Sequence, residues 1–277
     1  MRIQLFSDLH LERYPDFVPF IAPDTDVVVL AGDIGSYQSN SRLRERDFGL
    51  GRFSPLRPGA PRARVLYIPG NHEFDSLEYD EAYARLRATC AELGIEWLDR
   101  ETIVIGAVRF VGTTLWADFD ALASREPDLA KNLKMRDKAF RAANYYLAKN
   151  TTLIDGQPVL AERQRDMSLD CQAWLRAALA EPFDGATVAV THYAPSLLSA
   201  DPRYGLTPGT AGFCNALDDM FALADVWMHG HLHCANDYVV EIDTGGRRRA
   251  CRVLANPLGY ASKGEQEAFR PELVIEV

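Results

Sequence analysis

Short apolar runs that end next to a polar side chain are the feature of this sequence that most restricts its fold. The runs occupy residues 3–7, 27–32, 64–70, 187–192 and 225–230, and each is rich in β-branched or aromatic residues. Such runs are typical of buried β-strands. Four of them deliver Asp, Asn or His directly after the apolar stretch. Because open α/β sheets place their chemistry beyond the strand ends, this pattern predicts an α/β protein with its functional residues at that edge.

Helices and a second group of strands are predicted between and after these runs. Apolar residues recur at helical spacing at 77–94, 138–149 and 168–181, and the first of these segments ends in glycine. Later strand-like pieces lie at residues 108–116, 237–242 and 250–256. A second sheet packed on the first would accommodate them.

Two stretches interrupt this pattern. Residues 117–166 form a polar, charge-rich segment, which we interpret as a lid-like insertion in a single domain spanning residues 1–277. Residues 35–61 form a long connection rich in Gly, Pro and Arg. Connections of this length in a compact domain tend to be functional or mobile, so both stretches are candidates for the walls of a substrate pocket.

Composition excludes several classes of protein. Of the 277 residues, 47% are hydrophobic, which is enough for a sizeable core. The formal charge of −9 disfavours nucleic-acid binding. Neither a signal-peptide pattern nor an apolar run long enough to span a membrane is apparent, so we expect a cytoplasmic protein that does not interact with membranes. The five cysteines are scattered and lack a CxxC pair, so we expect buried thiols and no disulfide framework.

All six histidines lie in or beside small polar clusters at strand ends, and metal binding is a common cause for this placement. Asp8 and His10 are two residues apart, as are His231 and His233, so in an extended segment each pair points to one side and can hold one ion. Carboxylate and imidazole ligands without thiolate suit Mn, Fe, Zn, Co or Ni. Taken singly, an Asp after a strand is also an ordinary turn former.

The ordered motifs DLH, GD, GNHE, an isolated His after an apolar strand, and GHLH resemble those of the calcineurin-like metallophosphoesterases, over residues 3–233. The resemblance implies a four-layer α/β/β/α fold, in which two mixed β-sheets pack as a sandwich flanked by helices. It also implies two divalent or trivalent transition-metal ions, with Mn, Fe or Zn as candidates. By resemblance, the first metal is held by Asp8, His10 and His233, the second by Asn71, His192 and His231, and Asp33 bridges them.

The family's remaining motif histidine falls on His72, which by resemblance contacts the phosphate and acts as a proton donor. Many members have an Asp three residues after the GD aspartate that orients this histidine, whereas this chain has Ser36 there. Either Glu73 or another group then orients His72, or the histidine is less tightly held. We interpret His229, which has no counterpart in the motifs, as a structural residue.

The resulting hypothesis is a hydrolase that cleaves a phosphomonoester or phosphodiester by attack of a metal-bridging hydroxide. A nuclease with the same site and a non-catalytic scaffold that retains the fold are the alternatives. The expected partner is a small phosphate-ester substrate. The sequence leaves open the substrate, the choice between monoester and diester, the native metals and the oligomeric state.

Overall fold

Two β-sheets form the centre of the protein, whose computed structural model describes residues 1–243, 245 and 248–277. The strands of the first sheet are β1 (Arg2–Phe6), β2 (Val27–Ala31), β3 (Arg64–Ile68), β4 (Glu96–Trp97) and β13 (Val274–Glu276). Their order is β13-β1-β2-β3-β4. Strands β1 to β4 run parallel, and β13 lies antiparallel at the edge beside β1.

The second sheet has six strands in the order β11-β12-β10-β9-β6-β5. They are β5 (Glu101–Ile105), β6 (Val108–Thr113), β9 (Ala186–Thr191), β10 (Val226–His229), β11 (Asn236–Asp243) and β12 (Arg248–Ala255). The inner four are parallel and the two edge strands are antiparallel. A short hairpin joins β7 (Leu153–Ile154) to β8 (Gln157–Pro158). Every segment predicted as a strand contains one.

Alternate residues of each strand face two different apolar layers. Val27 and Val29 of β2 belong to the same buried cluster as Val188 and Val190 of β9, so these side chains fill the space between the sheets. The intervening residues, such as Val28, belong to a second cluster that includes the helices. This division follows from the two-residue period of a strand whose two faces are both covered.

Three helices complete the layers: α1 (Tyr79–Leu93), α2 (Leu129–Leu147) and α3 (Ala161–Ala180). Helix α1 packs on β4 and therefore covers the first sheet, whereas α3 packs on β6 and covers the second. The predicted four-layer α/β/β/α class is thus confirmed. Within the part of the chain that is described, no helix combines the length and apolar content needed to cross a bilayer.

Two helices begin earlier than the apolar spacing predicts. Helix α2 starts at Leu129, not residue 138, because Asp128 caps it by accepting a hydrogen bond from the Lys131 amide at 2.9 Å. Helix α3 starts at Ala161, not residue 168. Its first turns are polar but contain strong helix formers. Residue 166, the expected end of the insertion, therefore lies inside a helix, and the lid-like role stays a prediction.

Candidate metal centre

The predicted site residues occupy the loops that leave the carboxyl ends of parallel strands. These loops follow β1, β2 and β3 of one sheet and β9 and β10 of the other. The residues that they carry are Asp8, His10, Asp33, Asn71, His72, His192, His231 and His233. Because parallel strands end at a common edge, the fold brings segments that are distant in sequence to one place.

Four of these residues form a first group. One ligand atom from each of Asp8, His10, Asp33 and His233 lies within 4.8 Å of the others. His10 Nε2 and His233 Nε2 are 2.9 Å apart. His233 Nε2 lies 3.6 Å from Asp8 Oδ1, and His10 Nε2 lies 3.9 Å from Asp33 Oδ2. Two basic nitrogens and two carboxylates thus face one point.

A second group shares one member with the first. Asp33, His192 and His231 also offer ligand atoms within 4.8 Å of one another. His192 Nε2 lies 3.2 Å from Asp33 Oδ2 and 3.3 Å from Asn71 Oδ1. The structure therefore brings together all seven residues predicted as metal ligands. Asp33 lies between the two groups, in the position expected of a bridging ligand.

The carboxylates at this centre have oxygen atoms that are available to bind a cation. Asp8 and Asp33 are 0% and 1% exposed. In the described residues, Asp8 Oδ2 accepts no hydrogen bond, and the polar neighbours of Asp33 Oδ2 are the ring nitrogens of His192 and His10. An ionised oxygen that is buried without a partner is costly, so such oxygens normally pair with a cation. The ligand set of oxygen and imidazole nitrogen therefore fits transition-metal ions.

Three of the four predicted histidine ligands are held by their other ring nitrogen. Nδ1 of His10 lies 2.9 Å from Glu12 Oε1, and Nδ1 of His233 lies 2.6 Å from Glu265 Oε2. Nδ1 of His192 lies 2.9 Å from the Ala31 carbonyl oxygen. This arrangement fixes the tautomer that leaves Nε2 free, as is usual for histidines that bind metals.

Neither Glu12 nor Glu265 was predicted from the sequence as a partner of a metal ligand. Glu12 follows His10 by two residues, the same spacing as between Asp8 and His10. This spacing could have predicted that Glu12 lies beside His10. Glu265 is 32 residues from His233. No local spacing connects the two, and only the fold brings them together.

The backbone around the centre is strained in a consistent way. Five of the seven predicted ligands have a positive φ, namely Asp8 (50°), His10 (47°), Asp33 (54°), His231 (69°) and His233 (50°). Residues other than glycine rarely adopt this conformation, and it costs of order 1 to 3 kcal/mol each. Such strain persists where the surrounding structure imposes it, and it clusters at functional sites.

Two glycines allow the loops to approach the carboxylates. A Cβ atom on Gly230 would lie 2.6 Å from Asp8 Oδ2. A Cβ atom on Gly70 would collide with Asp33 Oδ1 and lie 2.7 Å from His192 Nε2. Any side chain at these positions would displace predicted ligands, which explains the glycine in the GNHE and GHLH motifs.

His72, the predicted proton donor, is held by a carboxylate that the sequence analysis did not identify. Its Nδ1 lies 2.5 Å from Asp75 Oδ2, and 24% of its side chain is exposed. The hydroxyl of Ser36 donates to the same Asp75 oxygen at 3.3 Å. The orienting acid thus comes from the loop after β3, and Ser36 supports it from the position where many family members place an Asp.

Glu73 does not orient His72. Its carboxylate accepts hydrogen bonds from the backbone amides of Asp33 (3.1 Å), Ile34 (2.6 Å) and Gly70 (2.8 Å). Burial and the negative charge of Asp33 raise the pKa of Glu73 to about 8. Glu73 therefore ties the loop after β2 to the loop after β3.

The charges of the carboxylates outweigh the effect of burial on the pKa at two of the histidines, His72 and His192. Burial lowers the pKa of His72, but the negative charges of Asp75 and Asp33 outweigh it and hold the pKa well above its usual value. Burial likewise lowers the pKa of His192, and the charge of Asp33 reverses this and raises it to about 9. In the absence of bound metal, the centre thus attracts positive charge.

His229 and the cysteines lie outside the two ligand groups. His229 is fully buried, with Nε2 at 2.9 Å from Ser199 Oγ, and it is not part of either ligand group. These contacts support the interpretation of His229 as a structural residue. All five cysteines are free thiols, and four are buried.

The model of the calcineurin-like phosphoesterase family matches residues 1–235. The chain belongs to this family. It is accordingly a hydrolase of phosphate esters, from a family whose members depend on metal ions. No protein with a curated description matches the chain.

The fold of this calcineurin-like phosphoesterase is similar to that of the phosphopantetheinyl hydrolase from Mycobacterium tuberculosis. The TM-score is 0.63 and the identity is 18%, over 94% of this chain and 90% of that chain. At this identity, the similarity concerns the fold alone. A second solved structure covers 95% of this chain and 92% of its own, with 12% identity and a TM-score of 0.45.

Aromatic rings flank the centre of this calcineurin-like phosphoesterase. The ring centroids of Tyr193 and Phe213 lie 3.9 and 5.1 Å from the ring centroid of His231. On the other side, the ring centroid of Tyr260 lies 4.4 Å from that of His10 and 4.9 Å from that of His233. The two ligand groups are therefore bordered by rings that restrict the histidine orientations.

Proposed function

We propose that this phosphoesterase hydrolyses a small phosphomonoester or phosphodiester at a centre of two metal ions. The observation that carries the proposal is that Asp33 belongs to both ligand groups, with Oδ2 3.2 Å from His192 Nε2 and 3.9 Å from His10 Nε2. A carboxylate shared by two sets of donors is the usual bridge of a two-metal site.

In this proposal, Asp8, His10 and His233 hold the first ion, Asn71, His192 and His231 hold the second, and Asp33 bridges them. Mn, Fe or Zn suits these ligands. When bound, the ions would lower the pKa of a water and neutralise charge on the phosphate. The protein supplies fixed donors, because Glu12 and Glu265 orient two of the histidines.

His72 is the proposed proton donor. Asp75 holds Nδ1, which leaves Nε2 available, and the side chain is partly exposed beside the centre. The ring centroids of His72 and His10 are 5.1 Å apart. As the bond between phosphorus and the leaving oxygen breaks, His72 would give its Nε2 proton to that oxygen while the oxygen of a water molecule forms a bond to phosphorus.

The cytoplasmic location expected from the sequence stays a prediction.

The test is to load the metal-free protein separately with Mn, Zn and Fe and to measure hydrolysis of 4-nitrophenyl phosphate and bis(4-nitrophenyl) phosphate. Phosphopantetheinyl esters join the panel because of the structural neighbour's substrate. We expect turnover that depends on metal and that falls at least about a hundredfold in His72→Ala. Equal rates for His72→Ala and wild type would remove the proton-donor role. No turnover of any ester by the metal-loaded protein would contradict the function.

A further inference from the structure

The side from which a substrate reaches the metal centre follows from the burial of the site residues. Four of them are buried, namely Asp8, His10, Asp33 and His192. The other four are partly exposed, namely Asn71, His72, His231 and His233. A phosphate ester therefore approaches the centre from the side of these four residues.

A large apolar ring faces solvent on this side. The ring centroid of Phe213 lies 5.1 Å from that of His231, with the two ring planes inclined by 30°. Phe213 is 45% exposed. Tyr193, whose ring centroid lies 3.9 Å from the same histidine, is only 2% exposed. His231 thus has one aromatic neighbour in the interior and another, Phe213, at the surface.

The exposure of Phe213 does not come from a loose loop. Its carbonyl oxygen accepts a hydrogen bond at 3.3 Å from the amide of Ala194, two residues after His192. The amide of Asn215 in turn donates to the Ala194 carbonyl oxygen at 2.9 Å. Cys214 and Asn215 are both 0% exposed. The backbone of Phe213 is therefore fixed relative to His192, and a contact that is in place before binding costs less entropy.

The position of the ring determines which part of a substrate it can contact. In a substrate complex, the phosphate would lie on the metals and the organic group would extend from it toward solvent. An exposed aromatic side chain gains free energy when apolar surface covers it, whereas a hydroxyl-rich group placed there loses hydrogen bonds to water. The ring of Phe213 therefore favours apolar organic groups over polar ones.

We propose that Phe213 is a specificity-determining residue that packs against an apolar organic group of the ester. The inference rests on the proposed function, because His231 is a proposed ligand of the metals that hold the phosphate. Since Phe213 contacts this ligand directly, the group that it covers must be attached close to the phosphate. The substrate class is therefore a phosphate ester whose organic group is apolar, aromatic or aliphatic, next to the phosphate, rather than an ester of a polyol.

The test measures binding by calorimetry to the metal-loaded protein, with phosphonates that cannot be hydrolysed as esters. The ligands are benzylphosphonate and 2,3-dihydroxypropylphosphonate, which share the anionic group and differ in the organic group. We expect wild type to bind benzylphosphonate about threefold to tenfold more tightly, as burial of part of an aromatic ring predicts. Phe213→Ala should remove most of this preference, and Phe213→Leu, which keeps an apolar side chain, should retain most of it.

Phe20→Ala is the matched control. Phe20 is 52% exposed, and its carbonyl oxygen accepts from the side chain of Gln4, inside β1, rather than from a loop of the centre. This variant should keep the wild-type preference. Metal content is measured in every variant, since Phe213 also contacts His231.

Three results would overturn the inference. The first is equal binding, or no binding, of the two phosphonates to wild type, and the second is a preference that survives in Phe213→Ala. The third is a preference lost together with bound metal, because Phe213 would then only support His231. Turnover of 4-nitrophenyl phosphate by the same wild-type preparation is scored separately, so a failure there would contradict the proposed function instead.

Discussion

Nδ1 of His72 lies 2.5 Å from Oδ2 of Asp75, three residues further along the chain. This contact leaves Nε2 as the nitrogen that can serve the substrate and makes Asp75 the positioning residue for the proposed acid. Many family members have this carboxylate in the loop after β2, whereas here it lies in the loop after β3. The hydroxyl of Ser36 donates a hydrogen bond to it. The pairing of histidine and carboxylate is thus retained with different residues.

Asp75→Asn should lower kcat by about tenfold to a hundredfold. This loss is part of the rate increase of about 10²- to 10⁴-fold that a positioned acid contributes. The charge of Asp75 raises the pKa of His72 against the effect of burial, so its removal lowers that pKa. A proton donor loses activity as pH rises through its pKa. The decline of kcat at high pH should therefore begin at lower pH in the variant.

The measurement is a pH profile of kcat, with metal content determined in parallel and Asp80→Asn, an exposed change, as the control. The control should match wild type. An Asp75→Asn profile that is unchanged in both height and position would show that the contact does not serve His72.

Glu265→Gln should weaken metal binding about tenfold to a hundredfold, because the carboxylate that accepts from His233 Nδ1 also strengthens the histidine as a ligand. The apparent affinity can be measured by competition with a chelator. Glu267→Gln, two residues away and exposed, is the matched control. Equal metal affinities in the two variants would show that Glu265 does not strengthen His233 as a ligand and serves only the structure of its loop.

Removal of the metals should lower the melting temperature. Asp8 Oδ2 is buried without a hydrogen bond in the described residues, and several of the predicted ligands have strained backbones. Ions that bind only the folded state stabilise it, by about 2.7 kcal/mol at a hundredfold excess over Kd. A thermal melt with and without a chelator tests this, and identical melting temperatures would argue against ions at the centre.

Gly70→Ala should lose metal affinity and stability together. The added methyl group would collide with Asp33 Oδ1 and approach His192 Nε2. Gly59→Ala is the control, because a Cβ atom there meets no heavy atom within 4 Å, although its φ of 75° adds backbone strain. The measurements are metal content and melting temperature. A Gly70→Ala protein with normal metal content would show that the loops tolerate displacement.

The sequence predicted the strands and the seven candidate ligands because both depend on local patterns. Continuous apolar runs such as that of β2 mark buried strands, and the motif residues directly follow strand ends. The four-layer arrangement was expected from the resemblance to the family. What could not be predicted depends on distant contacts or on polar helical turns. Glu265 reaches His233 across 32 residues, and α2 begins at a polar cap. Asp75 was near in sequence, but spacing alone did not distinguish it from Glu73.

The most direct test of the two-metal proposal is the metal content of wild-type protein, Asp33→Asn and the exposed control Asp16→Asn, measured by plasma mass spectrometry after dialysis. Because Asp33 belongs to both ligand groups, we expect two ions per chain in wild type and in Asp16→Asn, and reduced occupancy of both sites in Asp33→Asn. Two tightly held ions per chain in Asp33→Asn would contradict the bridging role, and with it the shared centre.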